Sequence, residues 1–245
     1  YGPSSFGARA VARLTRRAFL GGLGASLLLR VPPACAQPAA PSNLGVGGNA
    51  VMAVALDTVS TVKEISGDGV VSLSHTAGGT TDRAIFVVTC GYGIGSGPAT
   101  TGVTYGGTAM TNLWDVHTAV LSNLFSSGWY LPIGSSLTGA QTVIATLAAS
   151  PLVQFLFVLS LTGVDQTTPV GTPQTQGPNG SATSATVTIA SVGANDLVVD
   201  NVVVDYSVTT PTFTAGADQT DQASLSDGSV VGVASHLSTQ PGSAG

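Results

Sequence analysis

Few side chains in this 245-residue chain are suited to acid–base or metal chemistry: three histidines, two cysteines and twelve carboxylates, of which only Glu64 is a glutamate. His75, His117 and His236 are too far apart for a local metal motif, so a three-histidine site would have to assemble in space. His75 follows Val71 and Leu73 on one face of an alternating segment, which predicts a hydrogen-bonded rim histidine rather than a ligand. A glycosidase-type carboxylate pair would have to come from Asp57, Asp115, Asp165, Asp196, Asp200 or Asp205. Most of these fall at predicted strand ends or turns, where aspartate serves the backbone. Gly93-Ile94-Gly95-Ser96-Gly97 misses the register of a serine nucleophile elbow, and Gly91, Gly93, Gly95 and Gly97 miss the dinucleotide spacing. A loop after a central strand is the expectation there. Cys90 shares a face with Phe86 and Val88 and reads as a buried, inert thiol. These residues make an enzyme the weaker reading.

Two ligand sites are candidates. Asp218, Asp221 and Asp227 lie in one turn-rich segment whose hard oxygens suit Ca²⁺, although the spacing is not that of an EF-hand. A solvated acidic loop is the competing assignment. Tyr105, Trp114 and Trp129 could stack on the apolar faces of neutral sugars. Core packing competes for each ring. Trp129 and Tyr130 are adjacent, so on a strand they point to opposite faces.

Charge narrows the partners. Arg9, Arg13, Arg16 and Arg17 precede an apolar, glycine-rich stretch from Ala18 to Leu29, which is shorter than the ~20 residues of a spanning helix. Arg16-Arg17-Ala18-Phe19-Leu20 reads as a twin-arginine export signal, and Ala34-Cys35-Ala36 as a peptidase box with the Ala34 and Ala36 positions small. Pro32 stands where a lipid-anchoring box wants an aliphatic residue. Residues 1–36 are therefore expected as a signal, 37–50 as a flexible linker, and 51–245 as the domain. Without the leader, Lys63 and Arg83 face twelve carboxylates, a net charge of −10. Such a surface cannot neutralise a row of phosphates, which disfavours nucleic acid, and acidic polysaccharides and anionic lipid surfaces with it. The expected destination is the periplasm, the exterior or the cell surface of a bacterium.

The positioning elements read as strands. Val70 to His75 and Gln141 to Leu147 alternate, while Ala84 to Cys90 and Leu152 to Leu161 are apolar on both faces and read as central strands. Trp114 to Val120, Gly128 to Leu131, Ala185 to Ile189, Leu197 to Val204 and Ser229 to Ala234 add further candidates. Gly106-Gly107 between Val103-Thr104-Tyr105 and Thr108-Ala109-Met110 predicts a tight hairpin. No stretch after the leader holds a helical period. The expected fold is all-β, an antiparallel two-sheet sandwich of jelly-roll kind, with a helical signal segment outside it.

Val103-Thr104-Tyr105-Gly106-Gly107-Thr108-Ala109-Met110-Thr111, Trp129-Tyr130, Leu161-Thr162-Gly163-Val164-Asp165-Gln166-Thr167-Thr168-Pro169 and Asp196-Leu197-Val198-Val199-Asp200 occur in that order. Together they resemble a poorly characterised family of bacterial secreted or cell-surface β-sandwich domains. The resemblance implies display or binding and carries no catalytic residues. It also implies a closing strand beyond Gly245, hence a truncated domain with an open sheet edge. The leading expectation is an exported, non-enzymatic module for surface display, adhesion or neutral-glycan binding, with a glycan or a cell-surface protein as partner. The alternatives are a secreted hydrolase or lyase using aspartate and histidine, and a fibre subunit that self-associates through sheet edges sparsely guarded by charge.

Overall fold

The computed structural model describes residues 21–29, 53–65, 67–93, 97–117, 123–176, 189, 196–205, 219–227 and 231–238. Every regular element among them is a strand. In chain order they are β1 (Gly21–Leu29), β2 (Ala55–Ile65), β3 (Val70–Thr76), β4 (Ala84–Tyr92), β5 (Thr100–Tyr105), β6 (Thr108–Ala109), β7 (Thr111–His117) and β8 (Leu124–Pro132). There follow β9 (Ala140–Leu147), β10 (Val153–Thr162), β11 (Gln174–Gln176), β12 (Leu197–Asp205), β13 (Gln219–Ser226) and β14 (Val231–Ser238).

A five-stranded sheet, β2-β10-β4-β8-β7, packs against a four-stranded sheet, β3-β9-β5-β6, as the antiparallel sandwich expected from the sequence. The apolar core between them holds Ile85, Val87, Leu156, Val158 and Trp129 from the first sheet against Val103, Tyr105, Val143 and Ala145 from the second. The other face of the five-stranded sheet is also covered. A further sheet, β11-β1-β12-β14-β13, sets Leu197, Val199 and Val203 against Phe86, Val88, Phe155, Phe157 and Leu159. This explains why β4 and β10 are apolar at successive positions: odd and even residues enter two different cores. Each fully buried Phe, Leu or Val stabilises the fold by roughly 1.5–3 kcal/mol of transfer energy.

The Gly106-Gly107 hairpin is present, with φ of 55° and 78° at the two turn residues, both in the left-handed region that glycine adopts without steric cost. Gly128 has a different role. A Cβ there would meet the Trp114 ring at 2.4 Å, so its absence lets the indole lie against β8. A register shift between Asn112 and Trp114 brings that ring over the glycine.

Two expectations change. Gly21–Leu29, expected within a helical segment outside the fold, is a strand paired with β12 and β11. Gly21, Gly22 and Gly24 each cost a helix ~1 kcal/mol relative to alanine, while alternation of small and apolar residues suits a ladder. In the segment read as turn-rich, the described residues Gln219–Ser226 form the edge strand β13. There Ala223 and Leu225 pack onto the core and Ser224 between them faces outward. Of the expected strand Ala185 to Ile189, only Ile189 lies within the described residues, and it is buried.

Candidate functional site

The three rings expected to stack on sugar are in the interior: Tyr105 is 0% exposed, Trp114 5% and Trp129 7%. Trp129 Nε1 donates to Ser127 Oγ at 2.8 Å, and Trp114 Nε1 to Ser126 Oγ at 3.3 Å. The Tyr105 hydroxyl donates to the His75 carbonyl at 3.4 Å. Their polar atoms are satisfied inside and their faces are taken by packing, so none offers a platform to a ligand. The competing core assignment describes all three.

Of the calcium candidates, the two that are described do not converge. Asp218 lies outside the described residues, Asp221 is on β13, and Asp227 follows its end. Six residues of extended chain separate Asp221 from Asp227 by about 20 Å, beyond the reach of one ion. Arg16, Arg17, Ala34 and Ala36 lie outside the described residues. Cys90 is fully buried, and desolvation pushes its thiol far up, so it is inert as expected.

Two histidines have polar partners the sequence did not connect. The first group sits where β2 and β10 of the five-stranded sheet meet β3. Ser160 Oγ donates to Asp57 Oδ2 at 2.7 Å and accepts from the Thr58 N–H at 3.2 Å. Thr58 Oγ1 lies 2.6 Å from Ser160 Oγ and 3.5 Å from His75 Nε2, and His75 Nδ1 lies 2.8 Å from Ser60 Oγ. Burial holds the imidazole below its usual value, against the opposing pull of Asp57. His75 is 2% exposed, so it is hydrogen-bonded as expected but interior rather than at a rim. The serine proton goes to the aspartate and not to the imidazole. The group is a polar tie between two sheets, not a nucleophile with its base. Sequence reasoning missed it because Asp57 and Ser160 are 103 residues apart. Its one local signal is Ser160, a hydroxyl in the otherwise apolar run from Phe155 to Leu161.

The second histidine stands at an open surface. Asp115 and His117 are two residues apart on β7, so they share a face. His117 Nε2 lies 3.0 Å from Asp115 Oδ2, with the side chains 27% and 32% exposed. His117 Nδ1 is buried without a hydrogen-bond partner. His117 lines a groove of about 430 Å³ whose remaining walls are Gly97 to Ala99 and Ala148 to Ser150. The Ala148 N–H donates to the Ala99 carbonyl at 2.8 Å and fixes the two walls to each other. The groove therefore has one imidazole among small, uncharged walls, and Asp115 holds that imidazole from outside the lining.

The third histidine, His236, occupies a register position on β14 between Asp200 of β12 and Asp221 of β13. Lys63 and Arg83 are engaged elsewhere. Lys63 Nζ donates to the Ser226 carbonyl at 2.9 Å, and Arg83, 1% exposed, donates to the carbonyls of Gly134 and Ser136. Asp165 closes a turn. Burial raises its carboxyl, but hydrogen bonds from Thr167 and Thr168 outweigh that and hold it below the usual value.

No protein family matches the chain, and no curated protein does. Among solved structures, the chain is similar to the C-terminal domain of EclA, described as a sugar-binding protein. The identity is 9% and the TM-score 0.29, over 49% of this chain and 89% of that one.

Proposed function

We propose that the protein is an exported β-sandwich module that binds a neutral glycan at the groove beside His117. The observation that carries this reading is the Asp115–His117 pair, held at 3.0 Å at a partly exposed surface, with His117 lining the groove together with small uncharged residues and Asp115 beside it. A fixed carboxylate accepts from sugar hydroxyls, and small walls leave room for a ring. Charge selects against acidic ligands. Lys63 and Arg83, the lysine and arginine among the described residues, are both committed to backbone carbonyls away from the groove. The leader's paired arginines support export to the bacterial surface.

A hydrolase that uses the same pair is the second reading, because a histidine within hydrogen-bond reach of an aspartate beside a groove is its minimal requirement. The geometry favours binding. One ring nitrogen of His117 is spent on Asp115 and the other is buried, so neither is presented to a substrate as an acid or base.

The test is a glycan array probed with the full chain, with neutral and acidic glycans side by side. Binding confined to neutral glycans and reduced by Asp115→Asn is expected. Absence of binding to every neutral glycan overturns the reading. Turnover of a bound glycan that Asp115→Asn abolishes moves the assignment to the hydrolase.

A further inference from the structure

β1 is an inner strand of its sheet, with β11 on one side and β12 on the other. Its pairing with β12 is unbroken over nine residues, from Gly21 opposite Asp205 to Leu29 opposite Leu197. β12 buries alternate residues: Leu197 is 2% exposed, and Val199, Asn201 and Val203 are 0%. The register sets Leu29, Leu27, Ala25 and Leu23 opposite these four. The intervening positions are Leu28, Ser26, Gly24 and Gly22. So β1 is apolar or small wherever its neighbour is buried. It carries alanine opposite Asn201, whose Oδ1 accepts from Ser126 Oγ of the five-stranded sheet at 3.0 Å. β11 is paired to this sheet through β1.

Residues 30–54 separate β1 from β2, a tether that spans about 80 Å when extended. The expected peptidase box, Ala34-Cys35-Ala36, lies within that tether.

We propose that the lane between β11 and β12 is a strand-binding site whose ligand is the chain's own Gly21–Leu29, held by register and not by covalent attachment. Hydrolysis of the Ala36–Gln37 amide by a peptidase consumes one water and yields a new carboxylate and a new amine, yet leaves the strand in place. The segment thus has two successive roles, as the apolar core of an export leader and as a structural strand of the processed protein. The recognition is β-augmentation: main-chain hydrogen bonds supply affinity, and the pattern apolar-x-apolar-x-small-x-apolar, read from Leu29 back to Leu23, supplies specificity. Without a ligand, β12 would present a bare row of N–H and C=O groups beside buried apolar residues.

In the test, a specific protease site inserted between Ala36 and Gln37 of the full chain is cut after folding. Gel filtration with mass spectrometry follows the 1–36 fragment, and hydrogen exchange follows β12, with β4 and β10 as internal controls of the fold. The expected result is co-elution of the fragment, with β12 exchange within about twofold of the uncut chain. In Leu27→Asp, a charge opposite Val199 releases the fragment on cutting and speeds β12 exchange by at least about tenfold, while β4 and β10 stay protected. Loss of the unsubstituted fragment overturns the proposal in either form. Unchanged β12 exchange would mean there is no acceptor lane, and dimers or faster exchange would mean a different occupant or an empty lane. Retention of the Leu27→Asp fragment overturns the role of the register.

Discussion

His117 Nε2 sits 3.0 Å from Asp115 Oδ2, two residues away along the last turn-free stretch of β7. The pair is partly exposed, whereas the aromatic rings that could have offered a sugar a flat face are inside. On the proposed function, recognition at this surface depends on directional hydrogen bonds and on the shape of the groove, not on stacking.

Asp115→Asn should weaken binding of a neutral glycan by about tenfold, the loss of one charge-assisted hydrogen bond of ~1.4 kcal/mol, and His117→Ala should weaken it by releasing the carboxylate that the imidazole orients. Both side chains are a quarter to a third exposed, so thermal stability should change little. Calorimetric titration with the best array hit, alongside a melting curve, separates the two effects.

The five-stranded sheet is buried on both faces, so truncations on either side of β10 should both be costly. Phe157→Ala removes a side chain from one core and Leu156→Ala from the other, and both are 0% exposed. Losses of roughly 3–5 and 2–5 kcal/mol are expected in denaturant unfolding. A small effect at Leu156 alone would mean that the four-stranded sheet is loosely packed.

Stability should depend on the protonation of His75. Its value is lowered in the fold by burial, against the pull of Asp57, so the folded state binds its proton less readily than the unfolded chain. The contribution is complete above the ordinary histidine value near 6.5 and is lost as pH falls from there through the lower folded value. Unfolding curves from pH 7.5 to 4.5 should show this slope, and His75→Gln should flatten it.

Gly128→Ala places a methyl where the Trp114 ring lies, 2.4 Å from the nearest ring carbon. The indole must shift within a core it shares with Phe86, whose ring centre is 5.6 Å away. A loss of about 1–3 kcal/mol and an altered tryptophan emission spectrum are expected. Gly107→Ala is the contrast: open space surrounds its position, so only the positive-φ strain is felt.

Much of the fold was legible because strand periodicity is a local property. Val71, Leu73 and His75 share a face of β3 as their spacing requires, and Val143, Ala145 and Leu147 do the same on β9. Trp129 and Tyr130, adjacent in sequence, enter the two different cores as alternation demands. Two-sided apolarity correctly placed β4 and β10 at the centre of a sheet, and Gly106-Gly107 correctly placed a hairpin. The sequence could also place Asp115 and His117 on one face, since that needs only a spacing of two. It could not show that Gly97 to Ala99 and Ala148 to Ser150 would wall a groove around His117, or that Ser160 would meet Asp57 across 103 residues. It could not tell whether the apolar, glycine-rich segment Gly21–Leu29 would stand apart or join a sheet, because the same alternation of small and apolar residues serves both. Those outcomes were settled by tertiary structure. Which strands become neighbours depends on burying both faces of β4 and β10 at once, an energy summed over the whole chain and not written in any local segment.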